Sequence, residues 1–93
     1  MNDNVCVDLG AEIEAFLYAL LAEHFDVPIA DVSPTTDLFK LGIDSLGAVE
    51  LGLELNREYG VTISPGDIPV EFTVAAIVDL ARTRLAEQRA GAP

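Results

Sequence analysis

Cysteine occurs once, at Cys6, so no disulfide can close within the chain. That suits a reducing compartment, and a cytoplasmic setting is the expectation. Cys6 sits in a short N-terminal lead expected to be mobile. An isolated cysteine in such a place reads as a bystander rather than a reactive thiol. Histidine also occurs once, at His24. At the end of the first apolar stripe it reads as a last-turn residue near a helix's negative end, not as a catalytic base. Long apolar runs are missing too. The longest is "AFLYALLA", Ala15 to Ala22, held between Glu14 and Glu23. A membrane span needs roughly 20 apolar residues, so this run is one buried helix face. The N-terminus "MNDNVCVDLG" has no basic region ahead of an apolar one and is not a secretory signal. Basic residues are scarce, 5 against 16 acidic ones, for a net charge of −11. Such a chain is repelled by nucleic acid and by an anionic membrane surface. The same charge favours solubility and steers proteins with basic patches into contact.

Repeats, low-complexity tracts and clear strand signals are also absent, and what remains is helical. The 93 residues suffice for one small domain with a modest core. A first helix runs from Asp8, a plausible N-cap, to about Phe25. Leu9, Ile13, Phe16, Leu17, Leu20 and Leu21 recur at helical spacing and form one stripe. A long connection follows, Asp26 to Asp44, with Pro28, Pro34, Ser33, Thr35 and Thr36 as turn formers. Val32, Leu38, Phe39 and Leu41 are its expected anchors on the core, and so long a loop is usually functional. A second helix starts at Asp44 or Ser45 and ends near Tyr59, with Gly60 as its stop. Ser64-Pro65-Gly66-Asp67 reads as the start of a short helix, ended by Pro69. The last helix is capped by Thr73 and runs to about Gln88, on a stripe of Val74, Ile77, Val78, Ala81 and Leu85. Arg82, Arg84 and Arg89 gather in its C-terminal half, where cations suit the dipole. "AGAP" reads as a frayed tail. The expected fold is all-α, a small four-helix bundle of three long helices and one short one, with a long loop between helices one and two.

The second helix carries two apolar stripes. At about 3.6 residues per turn, Ala48, Leu51, Leu55 and Tyr59 share one side, and Leu46, Val49 and Leu53 share roughly the opposite one. Either the helix is buried on both sides, or the second stripe is exposed to a partner. Its edging by Glu50, Glu54 and Arg57 favours a partner, because buried carboxylates are rare. Gly47 and Gly52 lie inside the same helix, each at a cost of roughly 0.5–1 kcal/mol against alanine. They either admit a close neighbour or are tolerated defects.

Ser45 opens that helix. A serine nucleophile needs a base beside it. The elbow pattern needs glycine two residues before and after, and Gly47 fits while Ile43 does not. A calcium loop begun at Asp37 would place Gly42 correctly at the sixth position. It would also put Phe39, Leu41 and Ala48 at ligand positions, so the set fails. Helical zinc motifs are absent as well. Two readings of Ser45 stay open on local grounds: an ordinary N-cap worth about 1 kcal/mol, or an acceptor of a phosphate ester at a helix N-terminus that favours phosphate.

"LGIDSLGAVEL" resembles the attachment motif of acyl carrier proteins, Asp-Ser-Leu at the start of the second helix. "DVSPTTDLFKLGIDSL" is similar to that family's first loop, "LNREYGVTI" to the end of its second helix and "FTVAAIVDLA" to its threonine-capped last helix. The resemblance covers residues from about 9 to about 88, within a single carrier domain expected to span 1–93.

It implies that Ser45 carries a covalent 4′-phosphopantetheine arm taken from coenzyme A by a separate magnesium-dependent phosphopantetheinyl transferase. The arm's thiol would hold acyl groups as thioesters. The protein would be a monomeric, non-catalytic shuttle serving acyltransferase, ketosynthase or related enzymes with basic docking patches. Asp44, Leu46, Val49, Glu50, Leu53, Glu54 and Arg57 would form the recognition surface. Leu51, Leu55 and Tyr59 would face the core, lined also by Ile63 and Ile68.

Some positions depart from the pattern. Gly47 and Arg57 stand where acidic or polar residues are common, and "SPGDIPVEF" is proline-rich. "DSLGAVEL" is closer to polyketide-type carriers, and the short flanks resemble a discrete carrier. Aminoacyl or peptidyl carriage is the alternative within the family, and an acidic helical adaptor the alternative outside it.

Overall fold

The computed structural model describes residues 9–90. The lead around Cys6, the cap at Asp8 and the last residues of the tail lie outside them. Three α-helices are present: α1 (Leu9–His24), α2 (Ser45–Tyr59) and α3 (Val74–Ala90). A 3-10 turn at Ile29–Asp31, inside the long loop, is an element the sequence pattern did not signal. No named strand occurs among the described residues.

Each helix buries the stripe its spacing marks. Ile13, Leu17, Leu20 and Leu21 of α1, Ala48, Leu51 and Leu55 of α2, and Val74, Ile77, Ala81 and Leu85 of α3 meet in one core. Fully burying such an aliphatic side chain is worth roughly 1.5–3 kcal/mol. α1 and α3 pack most closely. α1 and α2 run antiparallel. Tyr59 at the end of α2 donates to the Glu12 carbonyl at 3.3 Å and meets the Phe16 ring edge-on. Phe25, just past the other end of α1, lies against Gly47 near the start of α2. Burial, with the Glu12 and Glu58 carboxylates nearby, pushes the Tyr59 hydroxyl up, so it stays a neutral donor.

α1 ends where Asp26 turns the chain at φ 57°, a conformation that aspartate tolerates. The Leu21 carbonyl accepts from both Phe25 and Val27 as the chain leaves. α2 stops at Gly60, φ 70°, as a left-handed C-terminal residue requires. α3 is capped by Thr73, whose hydroxyl accepts from the Ala76 N–H at 3.1 Å. It runs two residues past the expected end.

The long loop is fixed by backbone pairing with the segment before α3. Leu38 donates to Phe72 and Phe39 to Val70, while Val74 donates to Thr36 and Ala75 to Pro34. Asp37 and Thr73 form an antiparallel bridge. Leu38 is fully buried, and Val32 and Leu41 are packed partly against the core. Phe39 is not the anchor it was expected to be: it is 74 % exposed. Residues 38–42 form a turn, with Leu41 and Ile43 donating to the Leu38 carbonyl and Gly42 to that of Phe39; Leu38 takes the inner side of this turn and Phe39 the outer one.

The short helix expected at Ser64–Pro69 is a series of turns instead. Its opening contacts do form. Asp67 accepts from the Ser64 N–H at 2.9 Å and returns its own N–H to the Ser64 carbonyl. Gly66 then adopts φ 93°, outside the right-handed helical region, and Pro69 has no N–H to continue with. The preceding stretch, 60–64, has no regular structure and no partner strand among the described residues. Side chains pair its backbone instead. Asn56 both donates to and accepts from Ile63, at 2.9 and 2.8 Å. Gln88 bonds the Gly60 carbonyl and the Thr62 N–H, and Arg84 bonds the Thr62 carbonyl.

Arg84 also pairs with Asp67 at 3.0 Å. The Ser64 N–H and this guanidinium hold the Asp67 carboxyl below the usual carboxylate range. A depressed folded pKa contributes stability in full above the unfolded value of about 3.9, and loses it as pH falls through the lower folded value. Asp67→Asn should therefore lower the Tm at neutral pH, with the gap to wild type closing toward about pH 2. Thermal melts across that range test this. A gap independent of pH would show that Asp67 acts through shape rather than charge.

Candidate functional site

The loop delivers the chain to α2 through three residues. Gly42, at φ 80°, takes a bend that a side chain would strain. Ile43 returns a hydrogen bond to the Leu38 carbonyl and is buried. Asp44 is the N-cap: its Oδ1 accepts from the Gly47 N–H at 2.9 Å, and its carbonyl accepts from Ala48. The cap is thus Asp44, and the reading of Ser45 as cap is set aside. Ser45 is the first residue of α2, exposed, and its hydroxyl has no hydrogen-bond partner among the described residues.

Four N–H groups open a helix without intrahelical acceptors. Here the cap takes Gly47, and Ala48 reaches the Asp44 carbonyl. The N–H groups of Ser45 and Leu46 keep no acceptor among the described residues. A free hydroxyl beside two free donors, at the positive end of a helix, is suited to a phosphate ester on that oxygen.

Gly47 has a local reason. A Cβ there would lie 2.7 Å from Ile43 Cγ2 and 3.4 Å from Phe25 Cε1. Gly52 has another: a Cβ there would lie 3.2 Å from Ile63 Cγ2 and 3.7 Å from Ile68. Both glycines are sites of close approach, not defects. The space left between α2 and residues 63–68 is only about 10 Å³, roughly one water's worth.

The two stripes of α2 separate cleanly. Leu51 and Leu55 are fully buried, Tyr59 is half-buried, and Ile63 and Ile68 line the core beside them. On the other side Leu46 is 66 % and Leu53 47 % exposed, with Val49 half-buried between them. Asp44 and Glu50 are exposed at its margin. Glu54 and Arg57 pair with each other at 3.1 Å, a contact the sequence reading did not use. Arg57 therefore offsets Glu54 rather than the whole face, and Asp44 and Glu50 keep their charge.

His24 ends α1, and α1 ends against α2, so His24 lies at the same end of the molecule as Ser45, its ring 5.6 Å from that of Phe25. No hydrogen bond joins it to Ser45 among the described residues, and no carboxylate orients it as a base. The exposed Phe39 was missed as a surface residue; it sits in a turn whose inner side is set by pairing with Val70 and Phe72, which no local pattern signals. No cluster that could hold a metal occurs among the described residues, and none of their helices is long and apolar enough to cross a membrane.

Residues 15–83 match the family model described as a phosphopantetheine attachment site. The chain belongs to the phosphopantetheine-attachment family of acyl carrier proteins. Polyketide-8 synthase acyl carrier protein 2 of Streptomyces avermitilis is 28 % identical over 78 % of this chain and 85 % of its own length. The 5-methylorsellinic acid synthase of Aspergillus terreus is 41 % identical over 74 % of this chain, and the nonribosomal peptide synthetase NPS2 of Ceriporiopsis subvermispora 38 % over 59 %. The chain spans only 2 % of the length of each of those two synthases. No solved structure matches it. Covalent 4′-phosphopantetheine is the cofactor of this family, and the free hydroxyl, free N–H groups and exposed helix start fit its phosphate end.

Asp44 and Ser45 should separate in stability. Asp44→Ala removes the cap and should cost about 1 kcal/mol. Ser45→Ala removes no hydrogen bond and should leave the urea midpoint nearly unchanged. Equal losses in the two variants would return the capping role to Ser45.

Proposed function

We propose that the chain carries acyl groups as thioesters on a 4′-phosphopantetheine arm esterified to Ser45, as a single monomeric carrier domain of polyketide or related specialised biosynthesis. The observation that carries this is the unbonded Ser45 hydroxyl at the capped start of α2, inside the segment that matches the family. The arm supplies a terminal thiol; the chain supplies the place where it is held. Asp44 fixes α2 so that Ser45 is presented outward. The Ser45 and Leu46 N–H groups, which have no acceptor among the described residues, would be the donors available to the arm's phosphate. The base that takes the serine proton belongs to the transferase, in keeping with a carrier that is itself non-catalytic.

The exposed stripe of Leu46, Val49 and Leu53, edged by Asp44 and Glu50 and by the Glu54–Arg57 pair, supports docking to acyltransferase and ketosynthase surfaces with basic rims. The similarity to an acyl carrier protein of a polyketide synthase over most of both chains favours acyl cargo. Aminoacyl or peptidyl cargo is the second reading, supported by the similarity to a nonribosomal peptide synthetase.

Incubation with coenzyme A, magnesium and a broad-specificity phosphopantetheinyl transferase should add the mass of one phosphopantetheine, and Ser45→Ala should add none. An unchanged wild-type mass, with the transferase active on another carrier, would overturn the assignment.

The stripe is tested separately. Val49→Asp should keep the helical circular-dichroism signal while slowing transfer to a partner enzyme by about tenfold or more, as loss of a central interface residue does. Loss of helical signal would assign Val49 to the core.

A further inference from the structure

The two flanks of α2 next to Ser45 differ in what they can hold. On one flank, Ile63 and Ile68 press against Gly52 and leave about 10 Å³. That flank is held by the paired bonds between Asn56 and Ile63 and by Asp67 with Arg84. On the other flank a groove of about 220 Å³ runs between the end of α1, the loop and the first turns of α2. Phe25, Leu41, Ile43 and Leu46 line it together with Asp44 and Glu50, and Gly47 lies among them. A Cβ on Gly47 would run into Ile43, so the first turn of α2 sits close against that residue. Asp44 and Leu46, on either side of Ser45 in sequence, both line it.

The geometry points to this groove as the resting site of the chain's own phosphopantetheine arm, on the loop side of α2. This rests on Ser45 being the attachment point. The groove is lined by the residues on either side of Ser45, so a group tethered at Ser45 starts beside it. Its volume is below that of a typical site for a whole drug-sized ligand, about 300–1,000 Å³. It therefore takes one segment: the branched dimethyl carbon next to the phosphate, set against Phe25, Leu41 and Ile43. Glu50, which also lines the groove, is the acceptor available to the amide N–H that follows. The thiol end and its cargo are left outside the bundle, because the opposite flank has no room for them.

The test uses isotope-labelled holo-protein made by the transferase reaction, with its mass confirmed first. Nuclear Overhauser contacts should run from the arm's geminal methyls to Leu41 and Ile43, with none to Ile63 or Ile68. In Leu41→Trp, which fills the groove, these contacts should disappear from a protein of unchanged helical signal. Contacts to Ile63 or Ile68, or to nothing beyond Ser45 and Leu46, would overturn the groove while leaving the carrier reading intact. A wild-type protein that gains no mass removes both. The wild-type contacts decide the matter whether or not the tryptophan variant folds.

Discussion

The hydrogen bond from the Gly47 N–H to Asp44 Oδ1 sets the rest of the site. It fixes where α2 begins, and so which groups at that end are used and which are left. Had Ser45 been the cap, its hydroxyl would be occupied as an acceptor and turned in toward the helix. With the aspartate one residue earlier, the serine falls on the first helical position, where its oxygen has no structural task. The bond also depends on Gly47 having no side chain. Ile43, one residue before the cap, packs where that side chain would be, so the cap and the buried anchor of the loop are stacked on the same backbone.

A second constraint shapes the remainder. Three helices leave two irregular stretches, at 34–39 and 60–64, whose backbone groups need partners, and the described residues contain no sheet to supply them. A buried or half-buried peptide group without a partner costs roughly 1–3 kcal/mol. The first stretch is paired with the segment leading into α3. The second is paired by side chains from both neighbouring helices, Asn56 on one edge and Arg84 with Gln88 on the other. These contacts seat Ile63 against Gly52, and that close packing is why the inner flank of α2 is full.

Much of this was legible in the sequence. The helical stripes, the Gly60 stop, the Thr73 cap and the two-sided character of α2 all follow from local spacing and residue chemistry, and each is found. What failed was nonlocal or conformational. Phe39 reads as an anchor because it is a large apolar residue in a loop; only the pairing of that loop with Val70 and Phe72 shows that Leu38 takes the inward position. Ser64-Pro65-Gly66-Asp67 has the residues of a helix start and makes its contacts, but the positive φ of Gly66 stops the helix there. His24 and Ser45 are far apart in sequence, yet stand at the same end of the molecule because α1 and α2 are antiparallel. Gly47 and Gly52 could not be explained without knowing that Ile43 and Ile63 would come to rest on them.

The exposed stripe and the groove meet at Leu46 and Glu50, and this has a physical consequence. Leu46 is largely exposed as the molecule stands, so its apolar surface is available to be covered. The same surface of one side chain cannot be removed from water by two different groups at once. A protein seated on Leu46, Val49 and Leu53 would take the groove margin from any tethered group resting against it. The negative field of the chain acts in the same direction. Glu54 is offset by Arg57, while Asp44 and Glu50 beside Ser45, and Glu58 near the other end of α2, have no paired cation among the described residues. A partner with a basic rim would meet Asp44 and Glu50 at the end of α2 where Ser45 stands. The cap that leaves Ser45 unbonded, the glycine packed on Ile43 and the Glu54–Arg57 pair all lie within the first four turns of one helix.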